Sequence, residues 1–132
     1  MSLLYNKIER GNPSDTAAPK KWYPVLKSTG LVKEKEVAKQ LADETTLNPK
    51  EAEFSIAQLF KVMVADLLDG KTVQLGDLGS FRLTAHCESV NTEEEVTAAQ
   101  IKNLNVRFTA SEALKEALRK AHFVAVESLT KK

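Results

Sequence analysis

Gly70-Lys71-Thr72, the adjacent pair His86-Cys87 and the run Glu93-Glu94-Glu95 are where residue type could support chemistry in this chain of 132 residues. The first is similar to the end of a phosphate-binding loop, but such a loop needs a glycine five positions before Gly70, where Ala65 stands. It also closes a helical pattern and opens a strand-like one, the reverse of a phosphate loop. His86 and Cys87 are neighbours in an alternating segment, so they point to opposite faces, and no third ligand or base lies near them in sequence. Consecutive carboxylates without a partner read as a solvated charge run. His122, near the end of the last helical pattern, suits that helix's free carbonyls. No active site assembles from these residues, so the expectation is no catalysis, no cofactor, no metal and no small-molecule substrate.

Composition narrows the class. Hydrophobic residues make up 42% and charged residues 28%, ordinary values for a folded chain. The single Cys87 excludes an internal disulfide and any zinc site built on a Cys-x-x-Cys pair. No apolar run approaches the roughly 18 residues of a membrane span, and the first residues lack a secretory signal. A cytoplasmic protein without a membrane partner is expected.

The net charge of +1 is unevenly spread. Residues 1–30 carry five basic and two acidic side chains, and residues 31–70 five basic and eight acidic ones. Lys71 and Arg82 outweigh Asp77 in residues 71–85, while residues 86–100 hold Glu88, Glu93, Glu94 and Glu95 with no lysine or arginine. Residues 101–132 return to seven basic against three acidic. Basic ends and an acidic middle suit either solvated surface or a basic face built from both ends.

The positioning elements follow from periodicity and punctuation. Two strands are expected within residues 1–28, around the turn cluster Gly11-Asn12-Pro13-Ser14-Asp15, with Pro24 placing the second at a sheet edge. Residues 33–46 alternate apolar and charged positions at helical spacing. Asn48-Pro49-Lys50-Glu51 opens a second helix with a cap, a first-turn proline and an acid at the capping-box position. Its apolar stripe, widened by Phe54, Ala57, Val64 and Leu68, exceeds a single face, and Gly70 stops it. Thr72–Leu75 and Ser80–Ala85 form a hairpin around Gly76-Asp77-Leu78-Gly79, with Phe81, Leu83 and Ala85 on one face and Ser80, Arg82 and Thr84 on the other. A further strand over 101–108 alternates Leu104, Val106 and Phe108 with Asn103, Asn105 and Arg107. Thr109 or Ser111 then caps a helix carrying Leu114, Ala117, Leu118 and Ala121. A tail follows from about Ala125.

This order, with Val73, Leu75, Gly79, Ser80 and Phe81 at the strand and turn and Asn105-Val106-Arg107-Phe108 in the returning strand, resembles the HU/IHF family of bacterial histone-like DNA-binding proteins. The additional Lys20-Lys21-Trp22-Tyr23-Pro24-Val25-Leu26 is similar to an HU-related branch with an N-terminal extension. The resemblance implies an α+β, HU/IHF-like fold: two helices, a β-hairpin saddle with an arm and a short C-terminal helix, preceded by an extra β-hairpin and built into an intertwined homodimer. The implied organisation is a β extension at 1–30 packed on the body, an HU-like domain at 31–124 and a tail at 125–132. The implied partner is double-stranded DNA in the nucleoid. The residues to contact it are Lys71, Ser80, Arg82, Lys102 and Arg107.

The family's arm kinks DNA with an apolar wedge, typically a proline at the tip. Here residues 86–100 contain no proline, lysine or arginine, and like charge against phosphate keeps an acidic arm out of the groove. Two roles follow: an architectural protein that grips phosphates through its saddle, or an HU-fold interaction module that binds another protein. Lys20, Lys21, Trp22 and Tyr23 suggest either a stacking site for single strands or packing of the extension.

Overall fold

The helical pair begins where the sequence punctuates it. In the computed structural model, which describes residues 2–127, α1 spans Glu34–Glu44 and α2 spans Pro49–Leu68. The Asn48 side chain accepts a 2.8 Å hydrogen bond from the Glu51 N–H and donates back to the Glu51 carboxylate, while Pro49 occupies the first turn. At the far end Gly70 (φ +83°) allows the Gly70 N–H to reach the Leu67 carbonyl and the Lys71 N–H to reach that of Asp66. These two bonds satisfy carbonyls that the helix leaves free. Where α1 and α2 pack together, Ala38 and Ala52 are 1% and 0% exposed, small residues that let the helices approach closely.

Two three-stranded sheets accompany the helices. The first has the order β2-β1-β6, from β1 (Ser2–Arg10), β2 (Lys21–Lys27) and β6 (His122–Ala125). The second has the order β3-β4-β5, from β3 (Val73–Gln74), β4 (Gly79–Cys87) and β5 (Ile101–Ala110). A short helix, α3 (Glu112–Leu118), follows β5 and is capped by Ser111, whose hydroxyl accepts from the Leu114 N–H at 3.0 Å and donates to the Asp77 carbonyl. That donation ties the cap to the β3–β4 turn. The chain divides into two units, one of residues 1–32 and 117–132 and one of residues 33–116.

The end of the chain differs from its reading as a helix through Ala121 followed by a tail. The helix stops at Leu118, and His122–Ala125 pairs parallel with Ser2–Tyr5, giving the N-terminal hairpin a third strand. The expected boundary between 124 and 125 therefore falls inside a strand. Of the expected tail at 125–132, residues 128–132 lie outside the described residues. No helix among the described residues is long and apolar enough to cross a membrane.

Little of the chain's apolar surface is covered. Among the described residues only Ala38, Ala52 and Leu67 are buried hydrophobics. Phe54, Val62, Phe60 and Leu68 of α2 stay exposed, at 69% for Phe60.

Candidate nucleic-acid interface

Strand alternation and register sort β4 and β5 into two chemically distinct faces. Direct antiparallel partners project to the same side, so Phe81 with Phe108, Leu83 with Val106 and Ala85 with Leu104 make an apolar face. The Phe81 and Phe108 rings lie 5.0 Å apart between centroids, tilted by 38°. The opposite face reads Ser80 with Thr109, Arg82 with Arg107, Thr84 with Asn105 and His86 with Asn103, and Gln74 of β3 extends the first row. It contains no acidic residue.

The turn that launches β4 depends on glycine at two places. Gly76 has φ +51° between Leu75 and Asp77, and the turn is closed by the Leu75 N–H to the Gly79 carbonyl at 2.8 Å. Gly79 has φ +146°, and a Cβ there would stand 2.3 Å from the Thr109 carbonyl oxygen and 2.7 Å from the Phe108 ring. Only glycine lets β4 begin this close to β5.

Of the expected contact residues, Arg82 and Arg107 are brought together. They are direct cross-strand partners, both exposed, and neither has an ion-pair partner among the described residues. Like charges placed opposite each other are unfavourable, so the pair gains from an anion that bridges it. Ser80 shares this face one row away, half-buried. Lys71 sits in the connection before β3, its ammonium 3.3 Å from the Asp69 carboxylate.

Lys102 is placed differently from the two arginines. The register slips between His86 and Cys87, which face Asn103 and Ile101, so Lys102 is the extra residue of a bulge and simple alternation no longer assigns it a face. Its ammonium lies 3.8 Å from Glu88. The sequence reading already placed Thr84 beside Arg82 and Asn105 beside Arg107, but the direct opposition of the two arginines, and the addition of Gln74 and Thr109 to their face, were absent from it. Alternation gives each strand's faces, but the pairing register is needed to align them.

The arm is a structured acidic cap. Beyond Cys87 and Ile101 the ladder continues with the Glu88 N–H to the Gln100 carbonyl at 2.9 Å, and two 3-10 turns follow, Glu93–Glu95 and Ala98–Gln100. Thr97 and Gln100 cap the second reciprocally. Residues 33–116 as a whole hold ten basic and fifteen acidic side chains, so the two arginines are a local positive feature in an acidic unit. Among the described residues no group of three or more His, Cys, Asp or Glu side chains is arranged to hold a metal ion.

Comparison with known proteins agrees with this architecture. The model of a family described as an HU domain fused to wHTH, Ig, or glycine-rich motif matches residues 1–124. A Bacteroides vulgatus protein provisionally assigned as a bacterial DNA-binding protein has a similar structure, with a TM-score of 0.68 at 15% identity over 95% of this chain. The chain spans 48% of that protein's length. The Anabaena HU protein, in its cocrystal with DNA, is similar over 67% of this chain and 99% of its own, with a TM-score of 0.53 at 15% identity. No curated protein matches the sequence.

Proposed function

This chain belongs to the HU-HIG family, HU domains fused to wHTH, Ig or glycine-rich motifs, and from that membership we propose that it is a histone-like DNA-binding protein of the nucleoid. It contacts duplex phosphates with little sequence specificity through the polar face of the β3-β4-β5 sheet. One observation carries this reading: Arg82 and Arg107 stand opposite each other, exposed and without an ion-pair partner among the described residues, on a face free of acids. A guanidinium pair of this kind suits phosphate oxygens, which accept two parallel hydrogen bonds from each fork. Ser80 adds a hydroxyl beside the pair, and Lys71 and Lys102 supply further positive charge once a phosphate replaces their carboxylate partners. Exposed ion pairs such as theirs are worth only about 0–1 kcal/mol, so that exchange is inexpensive.

The binding unit is a homodimer in this reading. The exposed apolar residues of α2 and the apolar face of β4 and β5, which bears Leu104, Val106 and Phe108, form more bare hydrophobic surface than a monomer of this size ordinarily shows to water. A second copy covers it and sets two polar sheet faces side by side as a saddle. The Anabaena HU–DNA complex supports DNA as the ligand.

The test is a titration of a fluorescent duplex at several salt concentrations. Dissociation constants of about 10⁻⁴–10⁻⁶ M at physiological salt are expected, with log K falling linearly against log salt. Binding indifferent to salt would rule out the phosphate mechanism. A second reading is favoured by the ordered acidic cap and the negative balance of residues 33–116: the HU fold serves as a dimeric module for a protein partner. No duplex binding even at low salt would select it.

A further inference from the structure

We propose that the Arg10 end of the β1–β2 hairpin is a binding pocket for a nucleoside polyphosphate, a site that does not rest on the duplex reading above. Strand register builds it. Arg10 pairs directly with Lys21 and Ile8 with Tyr23, so Arg10, Lys21 and Tyr23 emerge on one side of the β2-β1-β6 sheet, while Trp22 and its partner Glu9 belong to the other. All three are exposed. A pocket of about 540 Å³ opens on this side, lined by Arg10, Lys21 and Tyr23 together with Asn12, Pro13 and Pro19 of the connection between the strands. That volume suits a small organic ligand. The connection is held by its own bonds, the Ser14 N–H donating to Asn12 Oδ1 at 2.9 Å and the Ala18 N–H to the Asp15 carbonyl at 3.2 Å. Asp15, the one acid in this connection, does not line the pocket, and its carboxylate accepts from the Ala17 N–H at 3.1 Å.

Charge and ring together select the occupant. Neither Arg10 nor Lys21 has an ion-pair partner among the described residues, and like charges set directly opposite each other repel, so an anion between them removes a cost. No strand residue on this side of the sheet is acidic. Lys20 brings a third cation to the pocket's margin, its Cγ 3.8 Å from where a Cβ on Gly11 would stand. A nucleic-acid backbone spreads its charge along a track, but Lys27, the next cation on this side of β2, stands at the strand's far end beyond Tyr23 and Val25. A polyphosphate instead concentrates its charge at one spot, where a guanidinium and an ammonium side by side can share its oxygens. Tyr23, two residues from Lys21 on the same side, offers a ring for a base to stack on. A nucleoside polyphosphate carries both groups.

The test is a titration of the isotope-labelled full chain with ATP and, separately, with inorganic tripolyphosphate, following backbone amide chemical shifts. Both should shift the amides of Arg10, Gly11 and Lys21 saturably, ATP at submillimolar concentration and more tightly than tripolyphosphate. Arg10→Gln/Lys21→Gln, at two exposed positions, should weaken both ligands by at least about tenfold, the loss of charge-assisted hydrogen bonds. Tyr23→Ala should weaken ATP roughly 5- to 150-fold, the range for one base-stacking contact, and leave tripolyphosphate within about twofold, whereas Tyr23→Phe should retain both. Absence of saturable shifts, shifts centred on Arg82 and Arg107, or ATP binding untouched by Arg10→Gln/Lys21→Gln would overturn the site. Tripolyphosphate binding as tightly as ATP would overturn the nucleoside. Oligothymidine bound at these amides more tightly than ATP would make the pocket a nucleic-acid contact and overturn the choice of ligand. Because the readout is local to the hairpin, failure of duplex binding at the saddle leaves this result unaffected, and the two readings fail separately.

Discussion

Arg82 on β4 and Arg107 on β5 are direct cross-strand partners, and no carboxylate among the described residues neutralises either of them. The other two cations expected at the interface behave differently. Lys71 leans on Asp69 and Lys102 on Glu88. The two arginines should therefore dominate phosphate binding. Arg107→Ala is expected to lower duplex affinity several-fold more than Lys102→Ala, because Glu88 already offsets the Lys102 charge while no ion-pair partner among the described residues offsets that of Arg107. Anisotropy titrations of the two variants at one salt concentration check this ranking, and equal losses would contradict it.

The acidic cap should oppose DNA. Glu88, Glu93, Glu94 and Glu95 lie in an ordered extension of β4 and β5 that, in the proposed dimer, continues from the saddle. Changing all four to lysine replaces repulsion with attraction and should raise duplex affinity by at least about tenfold at low salt, with a steeper salt dependence. Unaltered affinity would show that the arm stays away from the duplex.

Gly79 is the point where β4 meets β5 most closely. Gly79→Ala drives a methyl group against the Thr109 carbonyl and the Phe108 ring at a positive φ. A loss of about 2 kcal/mol or more in urea denaturation is expected, from steric overlap and backbone strain together. A change within about 0.5 kcal/mol, the usual range for surface substitutions, would contradict the described geometry.

How much of this was legible in the sequence depended on the range of the signal. The start of α2 was readable because Asn48, Pro49 and Glu51 act within one turn, and the two faces of β4 because alternation is local. The strand His122–Ala125 was not. It is four residues long and carries no turn signature, and its partner Ser2–Tyr5 lies at the other end of the chain. Lys102 shows the same limit on a smaller scale, since one extra residue in β5 breaks the face assignment that strict alternation suggests.

The wide stripe of α2 was legible as an excess of apolar residues, and its exposure gives that excess a consequence. Phe54 and Phe60 are 66% and 69% exposed in the single chain. Sedimentation equilibrium should find a dimer, and Phe60→Asp should shift it toward monomer, because a charge buried without a partner in the dimer interface costs several kcal/mol. A monomer in the unsubstituted protein at micromolar concentration would contradict the proposed assembly.

The most direct measurement is a salt series of duplex titrations comparing the unsubstituted protein with Arg82→Glu/Arg107→Glu, following duplex anisotropy. The expected result is salt-sensitive binding that the double variant loses, with the log–log slope reduced by about one for each phosphate contact removed. Duplex binding of equal affinity and equal slope in both proteins would contradict the saddle as the site of contact.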